Sequence, residues 1–275
     1  MSFHDDLIRL NVLSGGIKKL HSFNEKHSQR LLQLVYRVGL MFYDIVVGFS
    51  RINAIKKIMV YGTPSERPIR LAAVVIAKNE SEYISEWMAY HKLQGFERIY
   101  LYDNDSTDTM KECIQSYIDV GFVVYHQIHG NKQQGNAYTH ALHNYGCECK
   151  YMAFIDCDEF LTPCKQGDKL IDLLDTTFEK YPQAAGLAVN WCMYGSSHLE
   201  DKPEGMLIDN FVWRANVGKP GTQIIKSVIR PEYCLMWAHP HYPVYRLGYD
   251  AIDYNKRLRG YDDLSLLYKK QKSMD

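Results

Sequence analysis

The sequence predicts an α/β fold in which helices flank a mostly parallel sheet, with a helical extension ahead of it. Two observations favour this fold. Short apolar runs alternate with amphipathic stretches from about residue 69 onward, and three of the runs end abruptly in charged and amide side chains. Buried parallel strands read as continuous apolar runs. Strands and helices alternating at these lengths require right-handed crossovers, which place helices on both faces of the sheet.

Residues 1–62 are predicted to form the helical extension, and its most apolar window spans 31–49. Arg37 and Asp44 interrupt this window. A membrane-spanning helix needs about 20 largely uncharged residues, and a charge near the bilayer centre costs at least about 2.5 kcal/mol. We therefore expect a packed or interfacial amphipathic helix instead of a membrane span. The turn-rich segment 62–68 contains two prolines, and these end the extension because proline cannot continue a helix.

The main domain is predicted over residues 69–245, and a polar tail follows over 246–275. Asn79 has the features of a helix N-cap, with Glu82 as its capping-box partner, and Gly95 is expected to end the same helix. The predicted elements, in chain order, are a strand at 70–77, a helix at 83–91, a strand at 98–102, a helix at 110–118, a strand at 122–128, a helix that ends at 145, a strand at 151–155, a helix at 168–181 and a strand at 184–191.

The strand predicted at 151–155 ends in three carboxylates, those of Asp156, Asp158 and Glu159. Ionised carboxylates that are pressed together repel one another, so such a cluster is stable where a cation or a set of donors neutralises it. Hard oxygen ligands suit Mg²⁺ or Mn²⁺, often together with substrate phosphates. This strand end is therefore a candidate site for a metal-bound diphosphate. The alternative is that these acids cap a following helix or lie solvated in a turn.

Two other predicted strands end in polar clusters, at 78–80 and 103–108. Ligands of open α/β sheets bind beyond the carboxyl ends of the strands, and all three clusters are expected at that edge. Together they indicate a cleft with donors and acceptors for a base and a ribose, followed by a metal for a diphosphate.

Composition narrows the classes of function. Formal net charge is zero, so a broad nucleic-acid footprint, which needs a basic face, is not expected. The seven cysteines follow no small-scaffold pattern, and we expect reduced thiols without disulfides. The acidic, polar N-terminal residues do not form a secretory signal, which favours a cytoplasmic protein. Peripheral contact with the inner face of an anionic membrane stays open, because basic residues flank the apolar window: Lys26, Arg30, Arg51, Lys56 and Lys57.

Several stretches resemble the GT-A (Rossmann-like) glycosyltransferase fold, and more narrowly family 92 and its bacterial relatives among the family 2 enzymes. The resemblance covers roughly residues 70–245, in the same order along the chain. The matching stretches are 75–80, 83–95, 99–108, Gln134 with Ala137 and Tyr138, 154–161, Asn190 with Trp191, 195–197 and 226–231.

This resemblance implies an inverting transfer of a sugar from a nucleoside diphosphate donor, expected to be a UDP-sugar, with Mn²⁺ or Mg²⁺ as cofactor. The acceptor would be a glycan or glycolipid, in the biosynthesis of a cell-envelope or extracellular polysaccharide. Asp103 would accept a hydrogen bond from the donor base, Asp156 would face the ribose or the metal through water, and Asp158 would bind the metal directly. The remaining nucleotide-binding candidates are Ala77, Lys78, Asn79, Glu80, Asn104, Asp105 and Gln134.

Candidates for the catalytic base and for the remaining metal ligands lie mostly later in the chain. Asp209 is the first candidate for the base, with Glu159 or Glu204 as alternatives, although Asp209 also fits a surface-facing acid in a strand. A late histidine often completes the metal shell in this fold, and His241 is preferred to His239. Lys226 and Arg230 are candidate phosphate contacts.

Two other functions compete with glycosyl transfer. A nucleotidyltransferase uses a similar sheet and acidic metal site, but normally needs a glycine-rich phosphate loop after its first strand, and residues 77–80 contain no glycine. A non-catalytic scaffold that kept the fold and lost the chemistry is the other alternative.

Overall fold

The predicted apolar runs form the strands of one central sheet. The computed structural model describes residues 64–165, 167–201, 203–216, 224–246, 248–253 and 258–259, with helical residues at 35, 37–39, 41–42 and 45. Most of the predicted extension 1–62 and of the tail 246–275 lies outside the described residues. Within the described part of the chain, every helix is too short or too polar to cross a lipid bilayer.

The strands and helices lie close to their predicted positions. The strands are β1 Ile69–Ala77, β2 Arg98–Asp103, β3 Val123–Gln127, β4 Cys149–Phe154, β5 Ala184–Asn190, β6 Ile225–Ile229, β7 Cys234–His239, β8 Tyr242–Tyr245, β9 Asp250–Ile252 and β10 Leu258–Arg259. The helices are α1 Ile84–Leu93, α2 Met110–Cys113, α3 Gln115–Asp119, α4 Gln134–Tyr145, α5 Leu170–Lys180 and α6 Leu207–Asn210.

The strand order in the main sheet is β10-β9-β5-β6-β4-β1-β2-β3, and β7 and β8 form a separate hairpin. Strands β3, β2, β1 and β4 are parallel, whereas β6 runs antiparallel to both of its neighbours, β4 and β5. The predicted mostly parallel α/β sheet is therefore confirmed. Because β6 is reversed, its first residues lie at the same edge as the carboxyl ends of β1, β2, β4 and β5, and its last residues lie at the opposite edge.

Each face of the sheet is covered by helices. Alternate residues of β1 point to opposite faces, so Leu71 and Val75 join one apolar cluster while Val74 joins the other. Trp87 of α1 belongs to the first cluster and Tyr138 of α4 to the second. Fully burying a large apolar side chain contributes about 1.5–3 kcal/mol, so these clusters fix where α1 and α4 begin relative to the strand ends.

Two local predictions differ from the structure. The helix predicted at 110–118 is divided into α2 and α3, because Ile114 has φ −108° and ψ 4° and leaves the helical region. The N-cap prediction for Asn79 is wrong. Helix α1 begins at Ile84 without a side-chain cap, since Asn79 is in the left-handed region with φ 58° and hydrogen-bonds elsewhere. Gly95 does end this helix, with φ 90°.

Candidate active site

The loops that follow β1 and β2 are held together by hydrogen bonds. The Asn79 side chain accepts a hydrogen bond of 2.7 Å from the backbone N–H of Thr107, and its own N–H donates to Ser106 Oγ at 3.0 Å. The N–H of Ser81 donates to the Asp108 carboxylate at 2.9 Å. The first two polar clusters of the sequence thus meet at the carboxyl edge of the sheet.

Asp103, the last residue of β2, is buried and already has two donors. Tyr125 OH donates to one carboxylate oxygen at 2.5 Å, and the N–H of Ser106 donates to the other at 2.8 Å. Next to it, Asn104 donates through its side-chain amide to the carbonyls of Ile128 and Gly130. Both side chains therefore hold the β2 and β3 loops in place. The predicted contact of Asp103 with the donor base, and that of Asn104 with the nucleotide, stay predictions.

Asp105 links the same two loops from the outside. One carboxylate oxygen lies 2.5 Å from His129 Nδ1, and the other accepts the N–H of Gly130 at 3.0 Å. The hydrogen bond from His129 holds the pKa of Asp105 below its usual range. The Asp105 backbone is left-handed, with φ 59°, a conformation that aspartate adopts more readily than most residues.

Asp156, just beyond β4, accepts three side-chain hydrogen bonds. Gln134 Nε2 and Tyr138 OH donate to its Oδ1 at 2.9 and 3.1 Å, and Lys226 Nζ lies 2.5 Å from its Oδ2. Gln134 and Tyr138 are four residues apart and therefore share one face of α4. Helix α4 and strand β6 thus fix this carboxylate from two sides.

Glu159 closes the turn that carries Asp156. Its Oε2 accepts the N–H of Asp156 at 2.8 Å and lies 3.4 Å from Lys226 Nζ. The indole of Trp87 donates to the carbonyls of both Glu159 and Asp156, at 2.8 and 3.1 Å. Burial raises the pKa of Glu159 to about 7, against the opposing effect of Lys226. Sequence reasoning missed Trp87, which looks like any apolar residue of a helix face.

Ligand atoms of Asp156, Asp158 and Glu159 all lie within 4.8 Å of one another. Asp158 is exposed, and no hydrogen bond or ion pair involves its carboxylate among the described residues. Glu80, from the β1 loop, is close enough that burial and then the charges of Asp158 and Asp108 raise its pKa. The cluster offers only oxygen ligands, and Asp158 has no lysine, arginine or histidine paired with it among the described residues. This donor set fits Mg²⁺ or Mn²⁺.

His241 and His239 lie in the β7–β8 hairpin, and His241 is the closer to the acidic cluster. The carbonyl of His241 accepts a hydrogen bond of 2.7 Å from Ser227 Oγ, next to Lys226 on β6. Burial lowers the pKa of His241, as does the charge of Lys226, while Asp156 opposes them. His239 stacks on Tyr242 with ring centroids 4.4 Å apart. Neither imidazole belongs to the group of ligand atoms within 4.8 Å, so their role as ligands stays a prediction.

Asp209, the predicted base, is exposed on the short helix α6 in the long connection between β5 and β6. The interpretation of Asp209 as an acid in a strand is wrong, because residues 207–210 form a helical turn. The two carboxylate oxygens of Glu86 on α1 accept hydrogen bonds from the first N–H groups of this turn, those of Leu207 and Ile208, at 2.8 and 3.0 Å. Glu204, the alternative base, is also exposed and precedes α6. This connection leaves the carboxyl end of β5, at the edge that carries the acidic cluster.

Arg230 lies away from this site, although sequence reasoning proposed it as a phosphate contact. It follows β6 and donates to the carbonyls of Pro182 and Ala184, which precede and begin β5. Since β6 is antiparallel to β5, this end of β6 is at the opposite edge of the sheet. Lys226, at the other end of β6, is in the site and is paired with Asp156.

Comparison with known proteins identifies one family. The model of glycosyltransferase family 92 matches residues 73–260. A glycosyltransferase family 92 protein of Ricinus communis is 27% identical over 172 residues, covering 62% of this chain and 30% of the relative. One of Arabidopsis thaliana is 28% identical over 162 residues, covering 56% of this chain and 27% of the relative. The chain thus spans less than a third of the length of these curated relatives.

Among solved structures, the crystal structure of S. aureus TarS 1–349 has a TM-score of 0.41 and 16% identity, covering 60% of this chain and 48% of that chain. The mannosyltransferase PcManGT from Pyrobaculum calidifontis, in complex with GDP-Man and Mn²⁺, has a TM-score of 0.31 and 15% identity, covering 58% of this chain and 48% of that chain.

Proposed function

The chain belongs to glycosyltransferase family 92, and on that basis we propose that it transfers a sugar from a nucleoside diphosphate donor to a hydroxyl group of a glycan or glycolipid. The expected donor is a UDP-sugar, and the expected cofactor is Mn²⁺ or Mg²⁺. The observation that carries this proposal is the acidic cluster at the carboxyl edge of the sheet. There Asp158 is exposed and unpaired among the described residues, while Asp156 is fixed by three donors.

Asp158 would hold the divalent ion together with oxygens of the diphosphate. When bound, such an ion stabilises the negative charge that develops on a leaving diphosphate. Asp156 would act through its fixed position, facing the ribose or a water molecule, since its two oxygens already accept three hydrogen bonds. Glu159 and Trp87 hold the backbone of this turn, so the cleft is preorganised before the donor binds.

The nucleoside would lie along the β1 and β2 loops. Ala77, Lys78 and Glu80 line the start of the first loop, and Lys78 and Asn79 are exposed there. Asn79 ties this loop to the second one through Thr107, so the two loops present a single surface. Asp103 would accept a hydrogen bond from the donor base at a remaining lone pair, because each of its oxygens has one donor.

Inversion at the sugar carbon requires a carboxylate on the side opposite the leaving group to accept the proton of the attacking hydroxyl. Asp209 is our candidate for this base. This assignment is supported by the hydrogen bonds through which Glu86 anchors α6. Glu86 is next to Trp87 in the chain, and Trp87 holds the turn of the acidic cluster through the carbonyl of Glu159.

We also propose a peripheral position at the cytoplasmic face of a membrane for the N-terminal helix. Five apolar residues described there lie at helical spacing and are each at least 50% exposed, namely Val35, Val38, Met41, Phe42 and Ile45. Such a stripe, flanked in sequence by basic residues, has the pattern of an interfacial helix. Cosedimentation with anionic and with neutral vesicles tests this proposal. We expect binding to the anionic vesicles, and a failure to bind either kind of vesicle would contradict it.

A panel of nucleotide sugars tests the enzymatic proposal. We expect Mn²⁺-dependent release of a nucleoside diphosphate from one donor, lost in Asp158→Asn. Asp119→Asn is the matched control, since Asp119 is also exposed and lies on α3, which leads into β3 at the opposite edge. Release of pyrophosphate from a nucleoside triphosphate would favour the nucleotidyltransferase instead. Failure to bind any nucleotide would favour the scaffold.

A further inference from the structure

Lys226 places a buried ammonium group inside the acidic cluster. Its side chain is 5% exposed, and Nζ lies 2.5 Å from Asp156 Oδ2 and 3.4 Å from Glu159 Oε2. A lysine is rarely buried to this degree unless it is paired. This ammonium is therefore a built-in positive charge among the carboxylates that would hold a metal.

The hydrogen bonds leave little of Asp156 for a metal. Lys226 occupies one carboxylate oxygen, while Gln134 and Tyr138 occupy the other. Glu159 also has its Oε2 engaged, by the N–H of Asp156. Asp158 is the member of the cluster whose carboxylate makes no hydrogen bond or ion pair within the described residues.

We propose that Lys226 is the resident cation of this cluster and that it couples metal binding to donor binding. Its charge repels a divalent ion and competes with it for Asp156 and Glu159. The protein alone would then bind Mn²⁺ weakly through Asp158, and tight binding would require the phosphate oxygens of a nucleoside diphosphate. This inference rests on the proposed function, because it assigns the order of binding at the same site.

The coupling is reciprocal. If the nucleoside diphosphate tightens Mn²⁺ binding by some factor, then Mn²⁺ tightens nucleotide binding by the same factor. Lys226 would also face the diphosphate once the donor is bound, so it repels the free ion and attracts the ion–nucleotide complex. An acidic cluster without this lysine would instead bind a divalent ion on its own.

Calorimetric titration of the full chain with Mn²⁺ alone tests the role of Lys226 without any catalytic readout. We expect Lys226→Met to bind Mn²⁺ at least about tenfold more tightly than the wild type, because Asp156 and Glu159 lose their resident cation. Lys226→Arg keeps the charge and should stay near the wild-type affinity. Lys150→Met is the matched control, since Lys150 pairs with Asp175 at 2.7 Å at the opposite edge of the sheet.

Wild-type affinity equal to or higher than that of Lys226→Met would overturn the proposal. If Lys226→Met does not fold, the wild type still tests the coupling of metal and nucleotide binding, through its Mn²⁺ affinity with and without UDP. Tightening by UDP of at least about tenfold supports the coupling, and equal affinities contradict it. Absence of UDP binding at any Mn²⁺ concentration would refute a UDP-sugar donor, a result separate from the comparison of Mn²⁺ affinities among the lysine variants.

Discussion

The indole N–H of Trp87 donates a hydrogen bond of 2.8 Å to the backbone carbonyl of Glu159. Trp87 is fully buried in α1, so this bond ties a core helix to the turn that carries the acidic cluster. The position of the carboxylates is therefore set by packing beneath the site as well as by the hydrogen bonds within it.

Trp87→Phe should lower the free energy of unfolding and weaken Mn²⁺-dependent donor binding. The substitution removes the indole donor of the Glu159 carbonyl, whereas the Asp156 carbonyl keeps the N–H of Glu159 at 3.2 Å. An unsatisfied buried acceptor costs about 1–3 kcal/mol. Trp237→Phe is the control, because Trp237 is 1% exposed and its indole N–H has no hydrogen-bond partner among the described residues. Urea unfolding of both variants measures the difference. Equal losses of stability would show that the Trp87 bonds contribute nothing.

Glu86→Gln should lower kcat while leaving nucleotide affinity unchanged. Glu86 accepts hydrogen bonds from the first N–H groups of α6, which carries Asp209, and a glutamine offers one acceptor oxygen for two donors. A tenfold loss of kcat, equivalent to about 1.4 kcal/mol in the transition state, is the expected scale.

The control for Glu86 is Glu97→Gln. Glu97 also accepts a backbone N–H, that of Arg70 at 2.7 Å, but does so at the amino end of β1. Steady-state kinetics and nucleotide titrations on both variants separate a local effect on α6 from a general one. A Glu86 variant with normal kcat would remove the structural support for Asp209 as the base.

Protonation of the buried His91 ring should make the protein less stable in acid. Its ring is buried on helix α1. The ring donates a hydrogen bond of 2.8 Å to the Trp87 carbonyl and accepts one of 3.4 Å from the Leu161 N–H. Burial lowers its pKa to about 4 from the usual 6.5. The unfolded chain then binds a proton more readily than the folded one, so stability present above pH 6.5 is lost as pH falls from 6.5 towards 4.

The lost stability should reach about 3 kcal/mol near pH 4, because each tenfold difference in proton affinity is worth about 1.4 kcal/mol. Urea unfolding of the wild type and of His91→Gln across this pH range measures it. The difference in unfolding free energy between the two proteins should shift in favour of the variant as the pH falls. A difference independent of pH would mean that His91 titrates normally in the folded protein.

The sequence predicts the sheet well because its strands are buried on both faces. In β1 and β4 nearly every residue is apolar, so the pattern needs no knowledge of their neighbours. The direction of β6 is a different matter. Lys226 and Arg230 look equivalent in sequence, and only the antiparallel pairing with β4 and β5 puts one in the site and the other at the far edge.

Asn79 shows a second limit of sequence reasoning. Its residue type suits an N-cap, but the loop after β2 supplies Thr107 as a better partner, 28 residues away in the chain. The common edge of the three polar clusters follows from the parallel direction of their strands and could be predicted. The internal donors of the carboxylates come from α4, β6 and α1, and pairing across such distances in sequence has no local signal.

Calorimetry of UDP and GDP binding, with and without Mn²⁺, to the wild type and to Asp158→Ala tests the central claim most directly. Asp158 is exposed and makes no hydrogen bond or ion pair within the described residues, so the variant should fold as the wild type does. We predict Mn²⁺-dependent binding of one nucleotide to the wild type and loss of that dependence in the variant. Nucleotide binding that is the same in both proteins, or independent of the metal, would contradict the account.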